Sequence, residues 1–139
     1  MTTRGNNYTL TDIGSLKNLL NHNFKGVKGK YFIGNELGLS GSEVSLNCLP
    51  AEQAAPFVHA HKKNEELYIF ISGNGKFFVD GEEFPVQEGS LIRVAPSAER
   101  AWTAGDKDLY FICIQAQEDS LTQATSEDGI RLETKTSWM

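Results

Sequence analysis

Cysteine is scarce in this chain of 139 residues: only Cys48 and Cys113 occur, and no Cys-x-x-Cys pair exists. That count carries no disulfide framework and no paired-thiol metal motif. Each cysteine lies in an alternating apolar segment and reads as a buried thiol behaving as a small hydrophobe. Basic clusters are missing as well. The 13 Lys and Arg residues are scattered, Lys62-Lys63 is the only adjacent pair, and the net charge is −5 with a pI near 5.2. A phosphate-binding surface needs clustered cations, so no nucleic-acid partner is expected. No apolar run approaches the roughly 20 residues of a membrane span. The opening Met1-Thr2-Thr3-Arg4-Gly5-Asn6-Asn7 lacks the apolar core of a secretory signal. The expectation is a cytoplasmic protein with no membrane partner. Also absent are a Gly-x-Ser-x-Gly elbow, a phosphate-binding Walker loop and a dinucleotide glycine fingerprint.

What is present is an ordinary globular composition, 40% hydrophobic and 22% charged. The length fits one domain over 1–139 with a single core. Thr11 or Asp12 followed by Ile13, Leu16, Leu19 and Leu20 predicts a short N-terminal helix. Beyond it, short β-type segments recur at regular spacing, of which Glu66 to Ile71 is apolar on both faces and reads as a central strand. They include Lys30 to Ile33, Ser42 to Leu49, Glu66 to Ile71, Lys76 to Val79, Ser90 to Val94 and Leu109 to Gln115. Ser72-Gly73-Asn74-Gly75 and Asp80-Gly81 read as hairpin turns between them. Eight or more short strands with one helix at the front predict an all-β barrel or sandwich.

Two of the three histidines, His59 and His61, sit in one stretch that runs from Pro56 to Gly73. In an extended chain, side chains alternate faces, so His59 and His61 share one. Lys62-Lys63-Asn64 reads as a turn, after which the chain returns as a second strand starting at Glu66, whose carboxylate can meet the two imidazoles of the strand before it. Two imidazoles and a carboxylate on one concave face form a candidate ligand set for Zn, Mn, Fe, Ni or Cu. The bland alternative is a polar lining without metal. His22, flanked by Asn21 and Asn23, reads as a solvated loop residue.

These residues resemble the cupin superfamily. Its first motif runs Gly, five residues, His-x-His, three or four residues, Glu, six residues, Gly. Here His59-x-His61, four residues, Glu66, six residues and Gly73 follow it, with Gln53 in place of the opening glycine. In the second motif Gly89 is present. Ala95 stands at its proline position with Pro96 just after, and Ser97, Arg100 and Ala104 replace its glycine, histidine and asparagine. The resemblance covers residues 59 to 104. It implies a double-stranded β-helix, or jelly-roll barrel, with a site at the barrel mouth, and a homodimer.

It also implies that His59, His61 and Glu66 are metal ligands and that the family's fourth ligand, a second-motif histidine, is replaced by Arg100. The interval to Gly73 favours Glu66 over its neighbour Glu65. An arginine stays protonated and cannot ligate. Three readings follow: a divalent metal held by three ligands with open positions, a lost metal with Arg100 paired to Glu66 or Glu65, or an Arg100 fork aimed at a ligand's carboxylate or phosphate. Tyr68 shares the parity of Glu66, and Trp102 that of Arg100, so Arg100, Tyr68 and Trp102 are the candidate contacts to a small anionic ligand. Two function classes remain open: a metal-dependent enzyme of dioxygenase-like or isomerase-like type, or a non-catalytic module that binds or senses a small molecule in a metal-free cavity.

Overall fold

A computed structural model of the chain describes residues 1–123 and 125–139. The chain begins with a small hairpin, β1 (Thr2–Arg4) and β2 (Thr9–Thr11), followed by a 3-10 helix at Leu16–Asn21. Next come β3 (Asn23–Phe24), β4 (Val27–Lys28), β5 (Lys30–Phe32), the short α1 (Gly34–Leu37) and β6 (Glu43–Leu49). The body of the domain is β7 (Asn64–Ser72), β8 (Asn74–Val79), β9 (Glu82–Gln87), β10 (Leu91–Val94), β11 (Arg100–Ala104) and β12 (Leu109–Gln117). A last turn, α2 (Thr125–Asp128), precedes an exposed tail that holds Ile130 and Leu132.

The architecture is all-β, as the strand pattern predicts. The main strands form two sheets, ordered β10-β7-β12-β6-β5 and β11-β8-β9. Their inner faces meet in one core, with Tyr68, Phe70 and Phe111 from the larger sheet against Phe77 and Val86 from the smaller. From β7 onward the chain passes repeatedly between the sheets, which is what brings side chains of both to one site.

Three sequence expectations are corrected. The N-terminal helix is a 3-10 element capped by Ser15, whose hydroxyl accepts from Lys17 N at 3.2 Å. Thr11 belongs to β2, and Gly14 at φ 77 interrupts the chain before any longer helix can start. Three residues per turn still align Leu16 with Leu19, and Leu19 is buried. The second correction concerns Ser72-Gly73-Asn74-Gly75, which makes no hairpin: β7 pairs with β10 and β12, and β8 with β9 and β11. Gly73 instead carries the chain from one sheet to the other. Its φ is 90, and a Cβ there would lie 2.0 Å from the Asp108 carbonyl oxygen. Asp80-Gly81 does close the β8–β9 hairpin, with φ 47 and 89 as a two-residue turn of this hand requires. The third correction is the His59 segment. It does not pair back onto β7 but lies along β11, as described below.

The alternation in β6 carries a further finding. Val44 and Leu46 are only half-buried, while Ser45 and Asn47 are buried. The polar face of this strand therefore turns toward the interior.

Candidate metal centre

Two unlike pieces of backbone build the site. His59 exchanges both backbone hydrogen bonds with Arg100, His59 N to Arg100 O at 3.0 Å and Arg100 N to His59 O at 2.9 Å. Two residues on, His61 N donates to Pro96 O at 2.8 Å. The histidine segment is thus fastened to β11 and to the corner that precedes it, with both imidazoles on one side. Glu66 comes from β7 in the other sheet, where period-two alternation turns Glu66, Tyr68 and Phe70 inward.

The three side chains converge. Their ligand atoms all lie within 4.8 Å of one another. His59 Nε2 is 3.6 Å from Glu66 Oε1, and His61 Nε2 is 3.2 Å from Glu66 Oε2. A metal bound at roughly 2.0–2.2 Å by nitrogen and oxygen ligands holds neighbouring donors about 3 to 3.5 Å apart. The spacing and the donor chemistry therefore fit a divalent ion. The imidazoles remain reachable from solvent, with side-chain exposures of 27% and 26%. Glu65 points away and pairs with Arg93 at 2.8 Å on the exposed side, where Glu118 completes the cluster. Of the two adjacent acids, Glu66 is therefore the one that faces the histidines, while Arg93 faces solvent. His22 stacks on Tyr31 and takes no part.

Glu66 is 3% exposed and is surrounded by donors. The Tyr68 hydroxyl donates to Oε1 at 2.6 Å and the Cys113 thiol to Oε2 at 3.2 Å. Arg100 Nε lies 3.4 Å from Oε1. The rest of the guanidinium donates to Ala95 O at 2.9 Å and Pro96 O at 3.3 Å, and the residue has 0% exposure. Arg100 and Tyr68, both expected to face a ligand, are thus turned onto Glu66. Trp102 is half-buried beside them, its ring 5.9 Å from that of His59 and 5.4 Å from that of Tyr68, stacked on Phe77.

Burial alone would raise the Glu66 pKa. The close approach of His59, the hydrogen bonds from Tyr68 and Cys113 and the charge of His61 outweigh it and hold the carboxyl at about 2. Burial, the charge of Glu66 and the bonds to it push both the Tyr68 hydroxyl and the Cys113 thiol up, so each stays a protonated donor. A carboxyl depressed in the folded state adds stability that is complete above its unfolded pKa, near 4.5, and is lost as pH falls toward 2. Metal-free protein is therefore expected to lose on the order of 3 kcal/mol through this one group across that window. Glu66→Gln should flatten this part of the acid limb in a urea-against-pH series.

Cys113 is a site residue that sequence reasoning passed over, because a lone cysteine in an apolar run looks inert. Lys30 is another. It lies at the head of β5, and only the register of β5 against β6 brings it to Asn47 on the interior face.

Comparison with known proteins agrees with the all-β fold. A family model described as "Cupin domain" matches residues 46–115. A cupin protein from Bacteroides fragilis is 41% identical over 74% of this chain and 88% of its own, with a TM-score of 0.72. A predicted oxalate decarboxylase from Thermotoga maritima shares the fold at 21% identity, over 53% of this chain and 64% of its own, with a TM-score of 0.51. A putative sugar phosphate isomerase from Acidithiobacillus ferrooxidans does so at 18% identity, over 65% of this chain and 59% of its own, with a TM-score of 0.53. No curated protein matches. With the family model spanning half of the sequence and a relative this similar, the chain belongs to the cupin family.

Proposed function

We propose that this cupin holds one divalent transition metal through His59, His61 and Glu66 and uses it to bind and convert a small anionic molecule. One observation carries the proposal: two donor atoms from the segment fastened to β11 and one from β7 in the other sheet lie within 4.8 Å of one another, around a carboxylate already oriented by Tyr68 and Cys113. When bound, such an ion supplies Lewis-acid polarisation of a ligand oxygen. The ligand set serves Mn, Fe, Ni, Zn and Cu alike. The chain's own residues divide the remaining work. Arg100 and Tyr68 fix Glu66, the two imidazoles leave an approach from solvent, and Trp102 forms the wall a ligand meets there. The chemistry is of the dioxygenase-like or isomerase-like kind. Similar cupins described as a predicted oxalate decarboxylase and a putative sugar phosphate isomerase support a small anionic substrate.

A second reading draws on Arg100. Its guanidinium already gives Glu66 a positive partner, which suits a metal-free, non-catalytic binding or sensing cupin. Chelator-treated protein titrated with Mn2+ or Zn2+ separates the two. Binding to the folded state stabilises it by about 2.7 kcal/mol at a hundredfold excess over Kd, so the thermal midpoint should rise in the native protein and stay fixed in His61→Ala. No rise in either protein favours the metal-free reading. The homodimer is part of the same proposal. It is supported by exposed apolar side chains such as Tyr8 and Leu10 on the N-terminal hairpin, and light scattering would read two chains per particle.

A further inference from the structure

A polar row crosses the inner face of the larger sheet and runs away from the metal centre. It starts at Glu66 on β7, passes Cys113 on β12, continues through Ser45 and Asn47 on β6 and ends at Lys30 on β5. Ser45 and Asn47 are 2% and 4% exposed. Asn47 Nδ2 donates to Ser45 Oγ at 3.0 Å and Ser45 O at 3.1 Å, while Asn47 Oδ1 accepts from Lys30 Nζ at 3.0 Å. An ammonium carries three donors, and Asn47 takes one. The Phe32 ring lies 5.1 Å from Nζ. Among the described residues no carboxylate comes within 4.0 Å of Lys30. Glu66 and Cys113 support its charge only from a distance, and a half-buried cation with no anion in contact is costly unless a ligand completes it.

Space for such a ligand exists. Lys30 and Asn47 line a cavity of about 40 Å³ whose walls include Pro56, Trp102 and Phe111. Holding one water takes roughly 10–15 Å³ on this measure, so the cavity admits a group the size of a carboxylate and no more. Trp102 is a wall of this cavity and also stands 5.9 Å from His59, so the cavity and the metal centre share it. The Asn47 amide donors are already given to Ser45, which leaves one cation as the available recognition group. One charge matches a monoanion better than a phosphate dianion. Arg100 offers no competing clamp, since its donors are held by Ala95, Pro96 and Glu66.

We infer that Lys30 is the anion-recognition residue of this cupin, and that the Lys30–Trp102 cavity takes the carboxylate of a small monocarboxylate whose other end reaches past Trp102 toward His59 and His61. The placement of that other end rests on the proposed metal reading, whereas the carboxylate contact does not.

Trp102 and Trp138 are the only tryptophans, and Trp138 is exposed, so in a Trp138→Phe background the fluorescence reports on the cavity wall. Acetate and pyruvate should change it saturably, with inorganic phosphate weaker than either. Lys30→Met should weaken both carboxylates by about 10- to 100-fold, the value of a charge-assisted hydrogen bond. Lys30→Gln, which keeps a donor for Asn47 but no charge, should do the same, and Lys30→Arg should retain binding. His61→Ala tests the metal reading separately: it should lose metal and keep the Lys30-dependent response. No response to either carboxylate, an unchanged response in both Lys30→Met and Lys30→Gln, or a response lost only in His61→Ala would overturn the inference.

Discussion

Glu66→Ala is expected to destabilise the protein by roughly 3–5 kcal/mol, the range for removing one partner of a buried ion pair. The carboxylate accepts from Tyr68 and Cys113 and faces both histidines and Arg100. Without it, Arg100 Nε, which has no other partner, becomes part of an uncompensated charge at 0% exposure. The Tyr68 hydroxyl, also fully buried, loses its acceptor. Urea unfolding should show a lower midpoint with an unchanged slope. Arg100→Met added to Glu66→Ala should recover part of the loss, because the double variant no longer buries a lone charge. A loss below about 1 kcal/mol for Glu66→Ala would mean that Arg100 is satisfied by the Ala95 and Pro96 carbonyls alone.

Arg100→His is expected to lower the stability of metal-free protein and to enlarge the stabilisation that metal gives. The guanidinium ties the Ala95–Pro96 corner to β11 through hydrogen bonds of 2.9 and 3.3 Å and also partners Glu66. Its loss should cost metal-free protein about 2–4 kcal/mol, in line with losing hydrogen bonds to a charged group. The same change removes a fixed cation from beside the candidate ligands and supplies an imidazole at the position where the family's second motif has histidine. Metal affinity should therefore rise at least about tenfold, and saturating metal should restore much of the thermal midpoint. Parallel melts of chelated and metal-saturated protein read both effects. A metal-induced shift in Arg100→His no larger than that of the wild type would place residue 100 outside the metal's reach.

Much of this centre was legible in the sequence because it depends on local periodicity. The parity of His59 with His61, and of Glu66 with Tyr68 and Phe70, follows from strand geometry, and the all-β class follows from the spacing of short alternating segments. What could not be read is long-range register. Ser72-Gly73-Asn74-Gly75 has the composition of a hairpin, yet Gly73 is needed for a close pass over the Asp108 carbonyl as the chain changes sheets. Strand β6 shows a clean alternation whose apolar half looks like the core face, but Ser45 and Asn47 are the residues turned inward. Their partners, Lys30 and Phe111, arrive from strands far apart in sequence. The same blindness hid Cys113, which looks inert until β12 is laid against β7 and its thiol meets Glu66. The Arg100 side chain, read as one of three alternatives, is fixed by the corner that precedes it, and no local pattern shows where a corner's carbonyls point.

The metal content of protein purified without chelators tests the central claim most directly. The wild type should retain a divalent transition metal at close to one ion per chain, and His61→Ala should retain none while keeping its fold. Wild-type protein that carries no stoichiometric metal, and takes none up when Mn2+, Fe2+, Ni2+, Zn2+ or Cu2+ is supplied, would contradict it. So would a His61→Ala variant that holds as much metal as the wild type.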